Sequence, residues 1–299
     1  MQYTEFLQTK QKRIIESGFD CEKLNKHLFP FQGFIVHRAL RSGKYAIFAD
    51  TGLGKTIMQL EWAHRVVLHT KKPVLILAPL AVNMQTIEEG SKFGIRVYKY
   101  HKDVKQSIYI SNYEQVDNID CSVFSGIVLD ESSILKNFNG KTRNKIIETF
   151  ENTPYKLCCT ATPSPNDPME LGNHAQFLDV MSHFEMLAMY FIHDSSDTGL
   201  WRLKGHAVEL FYEFVSTWAI MLNKPGDIGY SNDGYDLPPL NINQITIETD
   251  VPTGLLFGGL AVNATDFNRT LRETEKLRVD EVIRIVNELP EGEQILIWA

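Results

Sequence analysis

Short apolar runs recur along the first part of the chain, at Tyr45–Ala49, Val74–Ala78, Arg96–Tyr100, Ser107–Ser111, Ile127–Asp130 and Lys156–Thr160. Between several of them apolar residues return at helical spacing, notably over Thr56–Leu68 and Lys141–Glu151. Apolar strands alternating with helices predict an α/β fold with a largely parallel sheet covered on both faces. A sheet of that kind binds its ligand at the carboxyl ends of its strands. The first forty residues read as helical packing material.

Beyond about residue 178 the pattern changes. His183–Ile192 and Val208–Leu222 read as amphipathic helices rich in Phe, Met, Tyr and Trp, separated by a polar turn around Asp194–Gly199. The stretch NKPGDIGYSNDGYDLPPL follows, with the Gly, Pro, Asn and Asp content of a linker or boundary. Then come a strand-like alternation over Asn241–Glu248, a charged helix from about Asn263 to Leu289, and QILIWA, which reads as the beginning of a strand. The organisation expected is 1–178, 179–236 and 237–299.

Composition narrows the classes. The 299 residues carry a net charge of −7, so nucleic-acid binding would have to come from local patches rather than from the molecule as a whole. No apolar run approaches the length of a membrane span, and the polar N-terminus lacks a signal-peptide core. A cytoplasmic protein without a membrane partner is expected. The four cysteines show no metal or redox spacing and read as buried thiols in a reducing compartment. The nine histidines form no ligand pair of the HxxxH or HExxH kind.

Two short segments carry chemistry. In FADTGLGKT, Ala49 stands five residues before Gly54-Lys55-Thr56, a phosphate loop with alanine at its first small position. Gly52 and Gly54 let the backbone turn its N–H groups inward, with Thr51 and Leu53 between and beside them. A helix starting at the loop adds its positive dipole end. Lys55 would reach the β and γ phosphates of ATP, and Thr56 would place its hydroxyl on Mg²⁺. In GIVLDE, an apolar strand ends in Asp130 and Glu131. Asp130 would serve the bound Mg²⁺, and Glu131 would orient and deprotonate the attacking water.

With these in place, the chain resembles superfamily-two helicases and translocases of the DEAD/DEAH-box type. It is nearest the Swi/Snf-like branch of double-stranded DNA translocases, and its phage and bacterial members most of all. Phe31-Gln32 resembles the upstream glutamine motif, which implies that Gln32 hydrogen-bonds adenine. LAPLAV (77–82) and ISNYEQV (110–116) resemble the motifs that touch the nucleic-acid backbone, which implies contacts from Pro79, Asn83, Ser111, Asn112 and Tyr113. Plain packing is an equal reading for Tyr113, and packing or a helix cap for Asn83. DESSILKN (130–137) resembles the acid box, without the histidine usual in its fourth place. CTATPSPNDPMEL (159–171) resembles the motif that couples hydrolysis to movement, which implies a relay through Thr160, Ala161 and Thr162.

The resemblance implies a RecA-like ATP-binding lobe (1–178), a helical protrusion and linker (179–236), and the crossing into a second lobe of which only the start is present (237–299). It implies an ATP- and Mg²⁺-dependent motor on nucleic acid, DNA favoured over RNA. Its hydrolysis would be weak without the arginines of a complete second lobe. The other readings are an ATP-driven remodeller of protein complexes and a non-catalytic nucleic-acid-binding half-motor.

Overall fold

Each of the six apolar runs forms a strand, and all six pair in parallel. The computed structural model of the chain describes residues 16–136, 140–193, 201–236, 238–247, 268, 271–290 and 292–298. Two compact units divide the chain, Met1–Leu237 and Pro238–Ala299.

In the first unit the strands are β1 (Lys44–Ala49), β2 (Val74–Ala78), β3 (Val97–Lys99), β4 (Ile108–Asn112), β5 (Gly126–Asp130) and β6 (Tyr155–Thr160). A further strand, β9 (Ala219–Leu222), completes a seven-stranded sheet in the order β3-β4-β2-β5-β6-β1-β9. Every pairing in it is parallel, with Ile47 opposite Cys159 and Leu77 opposite both Ser111 and Leu129. Side chains alternate between two cores. Ala46, Phe48, Leu75, Leu77, Ile127 and Leu129 belong to one, while Tyr45, Ile47, Val74, Ile76 and Val128 belong to the other. Both faces are covered, so the strands read as continuous apolar runs.

The helices are α1 (Pro30–Ser42), α2 (Lys55–Thr70), α3 (Asn83–Lys92), α4 (Lys141–Thr149), α5 (Leu171–Phe177), α6 (His183–Tyr190) and α7 (Val208–Trp218). Pro30 opens α1 at the position that needs no amide hydrogen bond, and Gly43 (φ +77°) ends it. Ser182 caps α6, its hydroxyl accepting the Glu185 N–H while the Glu185 carboxylate accepts the Ser182 N–H.

Several elements differ from the sequence pattern. Val208–Leu222 is not one helix: α7 stops at Trp218, and Ala219–Leu222 turns back into the sheet as β9. An uninterrupted apolar run suits a buried strand as well as a helix, and the open edge of β1 decides it. The segment expected as protrusion and linker therefore returns its last strand to the sheet. His183–Ile192 is likewise split, because Phe191–His193 (β7) pairs antiparallel with Trp201–Leu203 (β8). The polar turn expected between them lies outside the described residues. Residues 16–29 precede α1 without regular structure. Residues 1–15 lie outside the described part.

In the second unit the charged helix is α8 (Glu275–Glu288), with Arg284 bridging Glu281 and Glu288. The strand-like alternation from Asn241 and the QILIWA segment have no regular structure over residues 241–247 and 294–298. Among the described residues no helix is long and apolar enough to cross a membrane. Three of the cysteines are buried as expected, whereas Cys21 is half-buried.

Candidate nucleotide site and adjoining groove

Parallel strands put all their carboxyl ends on one edge of the sheet. The loops after β1, β2, β4, β5 and β6 therefore share that edge, and each carries one of the segments singled out in the sequence.

The loop after β1 is folded by its own residues. The Asp50 carboxylate accepts the Thr51 N–H at 2.6 Å. Gly52 and Gly54 have φ +83° and +75°, a conformation open to glycine at little cost. A Cβ at Gly54 would stand 2.4 Å from Gln32 Nε2, so the position admits no larger residue without movement. Gln32 is buried and fastened at both ends: Nε2 donates to the Leu53 carbonyl at 3.0 Å, and Oε1 accepts the Phe29 N–H at 2.9 Å. One N–H and one lone pair of its amide remain for a ligand. Beside it, Phe29, Phe31, Tyr230 and Tyr235 line a cavity of about 560 Å³. α2 begins directly after Gly54, and Lys55 Nζ donates to the carbonyls of Ala49 (2.9 Å) and Asp50 (3.2 Å). Thr56, the second residue of α2, is half-buried.

The acids stand at the end of β5. Burial is the main cause that raises the Asp130 carboxyl to about 6; Glu131 beside it adds to the rise, while Gln59 and Lys55 oppose it. Gln59 is a residue the sequence reading passed over. It is fully buried, lies one helical turn beyond Thr56 on α2, and turns its otherwise unpartnered amide toward Asp130. The i, i+3 spacing from the loop threonine was the available signal.

Glu131 adopts φ +55°, a left-handed conformation that costs an L-residue about 1–2 kcal/mol. Thr160, fully buried at the end of β6, donates its hydroxyl to Glu131 Oε2 at 3.1 Å and accepts the Thr162 N–H at 3.1 Å. Ala161 is half-buried and Thr162 exposed just beyond it. Asn166 donates to Glu170 Oε1 at 2.8 Å within the same motif. The acid box lacks its own histidine, yet one arrives from α5: His174 Nε2 lies 3.1 Å from the Ser132 hydroxyl. Burial lowers His174 to about 4, so it is neutral. Nothing local in the sequence pairs two residues so far apart. Asn137 of the acid-box segment lies outside the described residues.

A raised carboxyl has a stability consequence with a definite sign. The folded chain holds the Asp130 proton more tightly than the unfolded chain does. The contribution is therefore full below pH ~4 and lost as pH rises through about 6. The loss is about 1–3 kcal/mol. Asp130→Asn should thus raise the melting temperature at pH 7.5 by several degrees, and the gain should vanish near pH 4. Calorimetry at the two pH values checks this, and an unchanged or lower melting temperature at pH 7.5 would contradict it.

The groove candidates are on the same edge but not equally open. Pro79 and Asn112 are half-buried, and Asn112 donates to the Glu114 carboxylate at 2.7 Å. Ser111 and Asn83 are buried, and Asn83 is the first residue of α3 rather than its cap. Tyr113 is 6% exposed, and its hydroxyl donates to the Asp130 carbonyl at 2.7 Å.

The family model of the SNF2-related domain matches residues 33–191, more than half of the chain. The chain belongs to that family. The matched SNF2-related segment contains the phosphate loop, the acid box and the Thr160 motif. A search of curated proteins finds "Putative protein p41" of Acyrthosiphon pisum secondary endosymbiont phage 1, 28% identical over 177 residues, covering 50% of this chain and 38% of that one. It also finds the SWI/SNF-related matrix-associated actin-dependent regulator of chromatin subfamily A-like protein 1 of Xenopus tropicalis. That protein is 26% identical over 162 residues, covering 50% of this chain and 17% of that one. Among solved structures, the Sulfolobus solfataricus SWI2/SNF2 ATPase core in complex with dsDNA superposes with TM-score 0.55 and 21% identity. The match covers 71% of this chain and 47% of that one. The same core solved as a domain gives TM-score 0.51 at 20% identity, covering 72% and 46%. At these identities the likeness to solved structures is one of fold. The matches span less than half the length of these relatives.

Proposed function

We propose that the chain is an ATP-dependent motor that translocates on nucleic acid, with double-stranded DNA as the favoured track. One observation carries the reading: the Thr160 hydroxyl on Glu131 ties the acid at the end of β5 to the motif at the next strand end, on the sheet edge that also carries the phosphate loop and the groove segments. In this reading residues 1–178 form the ATP-binding lobe, 179–236 the protrusion and linker, and 237–299 the crossing into a second lobe. The motor works in the cytoplasm.

The chain's residues fit ATP with Mg²⁺. Gln32 and the aromatic cavity beside it suit adenine, and Thr51, Gly52, Leu53 and Gly54 present loop amides to the phosphates. Lys55 exchanges its two main-chain acceptors for β- and γ-phosphate oxygens. Among the described residues no three His, Cys, Asp or Glu side chains gather as a metal site. Magnesium is suited instead by Thr56, Asp130, phosphate oxygens and water. The buried, reluctantly ionised Asp130 is the sort of carboxyl a cation stabilises. Magnesium would neutralise charge on the transferred phosphate. Glu131, held by Thr160, takes a proton from the attacking water. Groove contacts through main-chain amides and Asn112 predict binding without base readout, weakening as salt rises.

ATP turnover measured alone, with duplex DNA, and with single-stranded DNA or RNA tests the proposal. Stimulation by duplex supports the translocase. Turnover indifferent to nucleic acid would favour a remodeller, and absence of turnover with retained nucleic-acid binding would favour a half-motor.

A further inference from the structure

β4 and β5 are not neighbours, since β2 runs between them. Tyr113, the first residue after β4, nevertheless reaches past β2 to the end of β5, a span of two strand spacings or about 10 Å. Its hydroxyl hydrogen meets the Asp130 carbonyl oxygen at 2.7 Å. That oxygen belongs to the peptide unit that joins Asp130 to Glu131, the two proposed working acids. The same peptide leads into the left-handed conformation of Glu131. A rotation of this peptide re-aims the Glu131 carboxylate.

The phenol is a dependable donor. A phenol carries one O–H donor, and here it is aimed at the carbonyl oxygen. The ring shares the apolar cluster that contains Leu77, Leu129 and Leu135, so it has little freedom to swing away. On its other side it is chained directly to Ser111 and Asn112, the groove segment, and it opens the 3₁₀ turn Tyr113–Asn118. A backbone shift at the groove therefore moves the donor that fixes the acid peptide.

We propose that Tyr113 is the positioning residue through which nucleic acid in the groove at Ser111 and Asn112 sets the Asp130–Glu131 peptide, and with it the aim of Glu131. The inference rests on the motor reading above and adds the route by which the track controls hydrolysis. It makes Tyr113 a positioning residue that touches neither ATP nor DNA.

The test compares Tyr113→Phe with the wild type in the whole chain, using a synthetic DNA duplex as the probe. The expected result is a fall of about fivefold or more in the ratio of turnover with duplex to turnover without it. The stimulated kcat should carry the change, with KM for ATP and the affinities for ATP and duplex each within about twofold of wild type. A ring that merely packs would lower the melting temperature and leave the ratio alone, and that outcome overturns the inference. Loss of duplex affinity in Tyr113→Phe also overturns it, because Tyr113 would then be a direct contact. A wild type indifferent to duplex sinks both the inference and the motor reading, whereas an unchanged ratio in the variant sinks the inference alone. Should the variant fail to fold, hydrogen exchange in the wild type decides. The Ile134 amide, which donates to the Glu131 carbonyl at 3.2 Å, should change its exchange rate when duplex binds. An unchanged rate there overturns the inference.

Discussion

Glu131→Gln should leave ATP affinity intact and cut hydrolysis by about 10²–10⁴. The amide keeps the shape of the carboxylate, and its oxygen still accepts the Thr160 hydroxyl that now lies 3.1 Å from Oε2. The left-handed turn at residue 131 is a backbone property and survives the change. What is lost is the capacity to take a proton from water, so the effect should fall on the chemical step alone. Single-turnover hydrolysis beside equilibrium ATP binding separates the two. A variant that hydrolyses at the wild-type rate would remove Glu131 from the role of general base.

Lys55→Ala should weaken ATP binding by about 10²-fold, the worth of roughly 3 kcal/mol in charge-assisted hydrogen bonds to phosphate. Lys55 makes two bonds to main-chain carbonyls of its own loop. Gly52, Gly54 and the Gln32 amide hold that loop independently of it. Thermal stability should therefore change by less than about 1 kcal/mol, since Lys55 is only half-buried. Titration calorimetry with ATP measures the affinity. Unaltered binding would remove the triphosphate from this loop, and a collapse in melting temperature would show that the lysine holds the fold rather than the ligand.

The sheet was legible because its strands are buried on both faces. β1, β2, β5 and β6 carry apolar side chains into two cores at once, and such runs stand out against helices of mixed polarity. β9 was hidden for the same reason in reverse. Ala219–Leu222 follows the apolar face of α7 without a break, and no local feature of WAIML says where helix gives way to strand. Only the unpaired edge of β1, distant in sequence, settles it. Among the residues proposed to work, Lys55, Thr56, Asp130 and Glu131 lie in segments whose spacing can be read directly. Gln59 could have been found by counting one turn along α2. His174 beside Ser132 could not, because a contact between elements leaves no trace in either segment alone. Tyr113 shows the limit most clearly: an aromatic residue at a strand end suits an exposed groove or a buried hydrogen bond, and only its surroundings distinguish them.

β9 has a consequence for the order in which the protein is made. It flanks β1, the strand that delivers the phosphate loop, and the carbonyl of its last residue, Leu222, receives the N–H of Asp50, the first residue after β1, at 3.0 Å. Ala46 finds its partner Ala219 only after the whole intervening sheet has been synthesised. A nascent chain arrested before that point leaves one edge of β1 unpaired and the base of the loop without its anchor, exposed to pairing with another chain. Competence to bind nucleotide should therefore appear late on the ribosome. It should arrive with a strand made late in the chain rather than with the loop itself.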